Sequence, residues 1–400
     1  MTVGPGLYLH PFDRRDLAAR GGLRALADLG YGEASMAVAY HAGRWLTPQS
    51  AGAVRFLEDG TVHFRPNANG DALTPLASSE VPATGADPLR TFVAEAHAAN
   101  LRPFAWTVLF HNTRLGVLHP ASCVRNAFGD GYEYALCPAR SEVRDYGVRV
   151  VRDIGSTAGL AGIELEAVGF LGYRHGSHHD KASFAIDRHL DALLSICFCD
   201  ACTPGYAANG ADADELRTRV TAAVRRRVHD ACALTPPVVA APDERLRDDI
   251  TDAGMRAVLA HRLAVQRRVL TAMRAATPPG VTLFAHLQPD PWFTGSQLGQ
   301  HPAAVADLLD GFVLTHYGED VAKIERAWQS LDTCGREARI AIWPKSPPFT
   351  GAADLGRVAS LAARRSAAVR VYHLGLLPWS TVATAAAALT GPTPNEGERG

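Results

Sequence analysis

Eight short apolar runs, each closed by turn residues and followed by a stretch of helical spacing, constrain this chain more than any other feature. The runs fall at 7–10, 33–40, 102–110, 162–168, 281–288, 311–316, 339–343 and 369–374. Most are rich in Val, Ile, Leu, Phe and Ala without strict alternation, the pattern of parallel strands buried on both faces. Helical patterns follow at 14–29, 88–99, 141–157, 182–197, 302–309, 321–331, 352–365 and 379–389. Eight strand-plus-helix units are the number that closes a ring, so the expected fold is α/β, a (β/α)8 TIM barrel. A doubly wound open sheet would ask for a glycine-rich phosphate loop after the first strand, and none follows it.

The chain has 400 residues, more than the ~250 typical of such a barrel. Two insertions account for the excess, 45–87 after the second strand and 197–277 after the fourth helix. In the first, Asp59-Gly60 between alternating residues of 54–64 predicts a β-hairpin. The second holds a cysteine cluster and two arginine-rich helices, 212–234 and 242–276, broken by Thr235-Pro236-Pro237. This makes one barrel domain over 1–390, with 391–400 a polar, flexible tail.

Forty basic against 41 acidic residues leave a net charge of −1, which argues against nucleic-acid and anionic-membrane partners. The expected partner is a small, neutral molecule. No apolar stretch approaches the roughly 18 residues a membrane span needs. The first residues lack the basic and apolar regions of a secretory signal, and seven cysteines in a long chain fit a reducing compartment, so a cytoplasmic location is expected.

A TIM barrel builds its active site at the C-terminal ends of its strands. His10 and Asp13 stand at the first strand end, Tyr40 and His41 at the second, and Trp106, His111 and Asn112 on or after the third. The fourth supplies Glu164, Glu166, Tyr173 and the run from His175 to Lys181, and the fifth His286, Gln288 and Asp290. His316 and Tyr317 follow from the sixth, Trp343 and Lys345 from the seventh, and Tyr372 and His373 from the eighth. Seven of the eight ends carry a histidine, which a purely structural barrel does not need.

Glu164 and Glu166 are the sharpest feature, because i, i+2 spacing on a strand puts both carboxyl groups on one face. Two carboxyl groups so close in a partly dry site are expected to push at least one pKa up, as a general acid requires. Trp106, Trp292, Trp343, Trp379 and Tyr317 offer faces for a pyranose, with His, Asn and Gln for its hydroxyls. Cys197, Cys199 and Cys202 have the spacing to wrap a structural zinc, with Cys137, His229 or Cys232 as a fourth ligand. No cofactor is expected for the chemistry itself.

The segments Phe104-Ala105-Trp106-Thr107 through His111-Asn112, Ala135-Leu136-Cys137-Pro138, Glu142-Val143-Arg144-Asp145-Tyr146, Gly162-Ile163-Glu164-Leu165-Glu166 and Cys197-Phe198-Cys199-Asp200-Ala201-Cys202 resemble TIM-barrel glycoside hydrolases and their uncharacterised bacterial relatives. The likeness covers roughly residues 100 to 205. It implies a sugar-binding barrel whose acid/base stands at the end of the fourth strand, a role that falls on Glu166. Retaining members place a nucleophilic carboxylate at the end of the seventh strand, where this chain has Trp343-Pro344-Lys345. Three readings follow: inversion with Asp13, Asp290 or Glu164 as base, substrate assistance with Glu166 as sole acid, or a barrel that binds sugar without cleaving it. A further alternative is a lyase or isomerase using a Lys345 Schiff base or a metal held by histidines. The three-cysteine spacing also resembles the zinc site of tRNA-guanine transglycosylases.

Overall fold

The computed structural model describes residues 4–50, 54–67, 73–175, 181–182, 184, 186–232, 252–345 and 347–391. Eight parallel strands form its centre: Gly6–Leu9, Glu33–Tyr40, Arg102–Val108, Gly162–Glu166, Thr282–Gln288, Gly311–His316, Glu337–Ile342 and Ala367–Val371. Each pairs with its sequence neighbours, and the first pairs with both the second and the eighth, so the sheet closes into a barrel with no free edge. The eight expected strands are all present, and the fold is a (β/α)8 TIM barrel.

Alternation along each strand sorts side chains into two shells. On the fourth strand Ile163 and Leu165 face the helices, and Glu164 and Glu166 face the barrel axis. The barrel interior is filled by large residues that fit because their neighbours are small. A Cβ at Gly6 would stand 1.9 Å from Nη1 of Arg370, and one at Gly311 would stand 2.2 Å from the Phe284 ring. Phe104 and Phe284 meet edge to face at 6.2 Å, with the Arg339 guanidinium 4.3 Å and 3.6 Å from their centres.

Beneath the strand ends lies a closed ionic network. Glu164 accepts from Arg339, from Nε of Arg370 at 3.0 Å and from the Ser35 hydroxyl at 2.6 Å. Glu33 pairs with Arg370 and with Arg102. Two buried carboxylates thus face two fully buried guanidinium groups, a balance without which burial of any one charge would be prohibitive.

The helices carry the outer shell. Ser141–Gly155 buries Val143, Tyr146, Val150 and Ile154, the spacing of one helical face. Helix Asp252–Ala276 packs on it where Gly147 meets Met273. It is therefore this helix, and not the expected 182–197, that covers the barrel between the fourth and fifth strands. The latter shortens to Arg188–Leu194, started by Asp187 capping Leu190. The expected helix 14–29 divides into Pro11–Ala18 and Arg24–Asp28, because Gly21 and Gly22 take φ of 92° and 70°. The expected helix 302–309 is two single 3-10 turns. The Asp59-Gly60 turn forms, but Val54–Leu57 pairs with Gly43–Leu46 and Thr61–Val62 with the second strand, so there is no hairpin across it. The junction 235–237, the start of the 242–276 helix, His178-His179-Asp180 and the tail from 392 lie outside the described residues.

Candidate active site

The C-terminal ends of the strands converge on Glu166, the last residue of the fourth strand. Its carboxylate accepts from the Trp106 indole N–H at 2.6 Å and from the Ser296 hydroxyl at 2.5 Å, and Nδ1 of His286 stands 3.9 Å away. Trp106 reaches it because the third and fourth strands are in register with Val108 opposite Glu166. Ser296 comes from the loop after the fifth strand, brought in where the Ala167 amide bonds the Ser296 carbonyl at 2.7 Å. Burial alone would raise the Glu166 pKa; His286 and the Ser296 and Trp106 donors outweigh it, and the group lies below the usual glutamate value.

Glu164 lies deeper and is fully buried. Burial again pushes its pKa up, but Arg370, Arg339 and Ser35 hold it down to about 2. The expectation that one of the two carboxyl groups would be raised is therefore wrong. Burial, which pushes both up, is overridden by Arg370, Arg339 and Ser35 at Glu164 and by His286, Ser296 and Trp106 at Glu166.

Around Glu166 the rim is aromatic. Tyr8 packs 4.9 Å from Trp106, Tyr40 crosses Trp106 at 4.8 Å, and Tyr372 stands 5.8 Å from it. Tyr317 lies 4.2 Å and Trp343 5.7 Å from Tyr372, and the Lys345 ammonium sits 3.4 Å over the Trp343 ring. On one side His10 packs among Phe12, Tyr40, Trp45 and His373. On the other, His111 stacks on His41 at 4.3 Å and meets His175 at 4.8 Å. Burial, with His41 beside it, takes the His111 pKa down to about 2, and burial takes His175 to about 4, so both are uncharged at neutral pH. Buried polar atoms without a protein partner gather here: both nitrogens of His10, Nδ1 of His111, the Tyr317 hydroxyl, Nε1 of Trp343 and Nε2 of His373. Such groups cost about 1–3 kcal/mol each when left unpaired. They give this rim the donors and acceptors a polyhydroxylated ligand would use.

Other expected site residues are placed elsewhere or are already engaged. Asp13 accepts from the His10 amide at 2.7 Å, closing the start of helix Pro11–Ala18. Asp290 is paired with Arg188 and accepts from the Trp292 amide. Asn112 caps helix Thr113–Leu118 through Leu115 and does not face Glu166. Tyr173 lies in a 3-10 turn against Tyr132, and its amide bonds Ser195. The Gln288 carbonyl accepts from the Gln300 amide at the end of the fifth strand. His316 points outward: Nε2 accepts from the Trp328 indole at 2.9 Å and Nδ1 bonds Glu319 at 2.7 Å. Trp379 carries Arg20 on its face, in the outer shell. Tyr8, Trp45 and Ser296 complete the site without having been singled out in the sequence. Tyr8 shares the inward parity of its strand with His10, which is the signal that could have found it. Two open clefts, one lined by Trp328, Leu361 and Arg365 and one by Arg14, Leu17 and Ala98, lie on the helical flank away from these strand ends.

A second cluster lies apart from Glu166. Cys137, Cys197, Cys199 and Cys202 are buried, unbridged, and have their sulfur atoms within 4.8 Å of one another. Cys137 stands 3.7 Å from Cys199, 3.6 Å from Cys202 and 3.8 Å from Cys197. A zinc ion with four sulfurs at ~2.3 Å requires edges of about 3.8 Å, so the cluster could hold such a metal. Of the three fourth-ligand candidates, His229 and Cys232 are exposed and Cys137 is the one present.

Comparison with solved structures matches the fold. The glycoside hydrolase domain of PgaB (BpsB) from Bordetella bronchiseptica aligns with TM-score 0.55 and 12% identity, over 93% of this chain and 94% of its own. A catalytic mutant of Gan42B, a GH42 beta-galactosidase from G. stearothermophilus, aligns with TM-score 0.54 and 13% identity over 97% of this chain. The chain spans 56% of that galactosidase. No protein-family model matches the sequence, and no curated protein is similar to it. The structural neighbours are TIM-barrel glycoside hydrolases, and at these identities the likeness is one of fold.

Proposed function

We propose that the protein is a glycoside hydrolase-like enzyme acting on a glycosidic bond or a sugar-like small molecule, with Glu166 as its acid/base. The observation that carries this reading is that Glu166, alone among the four candidate carboxylates, stands inside the aromatic rim with no arginine partner and no helix to cap. Tyr372 and Trp343 offer faces for sugar C–H groups, and His10, His111 and His373 offer nitrogens for hydroxyls.

The resting Glu166 is ionised. A ligand's glycosidic oxygen, which can only accept, placed where the Ser296 hydroxyl donates and with water excluded, removes one stabilising donor and so raises the pKa toward that of a proton donor. Because Glu164, Asp13 and Asp290 are committed elsewhere, and no carboxylate stands at the end of the seventh strand, the second catalytic function falls to the substrate's own neighbouring group. That these three carboxylates are committed elsewhere also favours one other reading, a barrel that binds sugar without cleaving it. Lys345, held over Trp343, serves ligand contact in both.

We further propose that Cys137, Cys197, Cys199 and Cys202 hold a structural zinc, which would pin the 197–277 segment to the barrel domain of residues 1–390. That no disulfide joins the described cysteines fits a cytoplasmic setting. A panel of aryl glycosides, with product anomers read by NMR, tests the main reading. Release of aglycone from at least one member is expected. Binding across the panel without release would establish the non-hydrolytic barrel instead.

A further inference from the structure

Beneath Glu166 a chain of polar atoms leads to a residue the catalytic reading does not use. The Tyr8 hydroxyl lies 3.3 Å from Nε2 of His286, whose Nδ1 lies 3.2 Å from the Thr315 hydroxyl and 3.9 Å from Glu166. We propose that Tyr8 is a positioning residue: its hydroxyl donates to Nε2 of His286, fixes the imidazole proton on Nδ1, and so keeps an N–H turned toward Glu166 and Thr315. This rests on Glu166 being the acid/base group.

Three observations support that polarity. Tyr8 is fully buried, and His286 is the one hydrogen-bond partner recorded for its hydroxyl among the described residues, so the O–H must donate to the ring or go unsatisfied. Burial, with Glu164 below it, raises the Tyr8 pKa well above the usual value, so it keeps its proton across the working range. The opposite tautomer would turn an imidazole lone pair toward an ionised carboxylate, which is electrostatically unfavourable at low local dielectric. A hydrogen bond to one ring nitrogen that selects the tautomer of a reacting histidine is a general device of active sites. Here it acts one step further out, on the carboxylate beside the histidine.

Other groups also face Glu166, from other elements of the barrel. His41 arrives from the end of the second strand and His175 from the turn after the fourth. Tyr40, Tyr317 and Tyr372 approach from the second, sixth and eighth strands, with hydroxyls that burial holds protonated. Among the described residues the Tyr8 hydroxyl bonds His286, and the ring face that Tyr8 packs on Trp106 is kept in Tyr8→Phe, so the effect of removing the hydroxyl should reach Glu166 through the imidazole.

The test needs no substrate. Imidazole nitrogen NMR of the wild-type protein, with His286 assigned by His286→Gln, reads the tautomer directly. The Glu166 carboxyl carbon, assigned by Glu166→Gln, is titrated in wild type and in Tyr8→Phe. The expected result is a proton on Nδ1 alone in wild type, and an upward shift of about one unit in the Glu166 titration of Tyr8→Phe. A proton on Nε2, or on both nitrogens, in the wild-type protein would overturn the proposal even if Tyr8→Phe failed to fold. So would identical Glu166 titrations in the two proteins. A protein that cleaves no glycoside would sink the acid/base reading of Glu166 while leaving these resonances to be read, so the two failures are distinguishable.

Discussion

Replacing Glu164 by Gln separates its two roles, the catalytic one the sequence suggests and the structural one its contacts indicate. Gln keeps the size and removes the charge, leaving Arg370 paired with Glu33 and Arg339 with Glu337 at 3.0 Å and Glu33 at 3.8 Å. The Glu164 pKa lies at about 2 against an ordinary 4.5. At 1.36 kcal/mol per unit that displacement corresponds to about 3 kcal/mol, close to the ~3–5 kcal/mol for breaking a buried ion pair. Because the folded-state value is the lower one, this stabilisation is complete above about pH 4.5 and is lost as pH falls toward 2. Urea unfolding at pH 7 should show the Glu164→Gln midpoint lowered with an unchanged slope, and wild-type stability should decline steeply below pH 4.5. A Glu164→Gln protein within ~1 kcal/mol of wild type that has lost turnover would refute the structural assignment and make Glu164 the missing second carboxylate.

Ser296→Ala removes a charged hydrogen bond worth about 1.5–3 kcal/mol, so the Glu166 pKa should rise by about one to two units, read by carboxyl carbon titration. If Glu166 acts as the proton donor, the optimum of any hydrolysis should move toward higher pH by the same amount. Cys137→Ser should lower bound zinc from one per chain to a small fraction and reduce the melting temperature, by metal analysis and calorimetry, since it deletes one corner of the sulfur cluster. Gly6→Ala should cost roughly 1–3 kcal/mol in unfolding experiments, because the new methyl collides with the buried Arg370 guanidinium.

The barrel was legible because strands buried on both faces write themselves as apolar runs, and because glycines and prolines punctuate them. What failed at this level were helices whose ends depend on local backbone. Gly21-Gly22 looked like an interior of 14–29 and is a break, and 302–309 had helical spacing without the length to propagate. Glu166 was legible for a comparable reason, since each of two carboxylates at i, i+2 on an otherwise apolar strand must be answered by a counter-charge or a site, and the counter-charges Arg339 and Arg370 go to Glu164. Its environment was not legible, because Trp106, Ser296 and His286 come from segments up to 130 residues away. His316, expected in the pocket, shares its strand face with Phe312 and Leu314 of the outer shell. Strand parity therefore sends it outward, to Trp328. Cys137 could not be told from His229 or Cys232 by spacing, because the fourth ligand arrives from a different part of the fold.

The central claim is that Glu166 performs the proton transfer at this rim. The most direct measurement is the turnover and ligand affinity of Glu166→Gln on whichever aryl glycoside the wild-type protein cleaves best. Turnover should fall by at least about a hundredfold while the dissociation constant stays within a fewfold of wild type. Turnover within a fewfold of wild type, with the variant folded, would contradict the account.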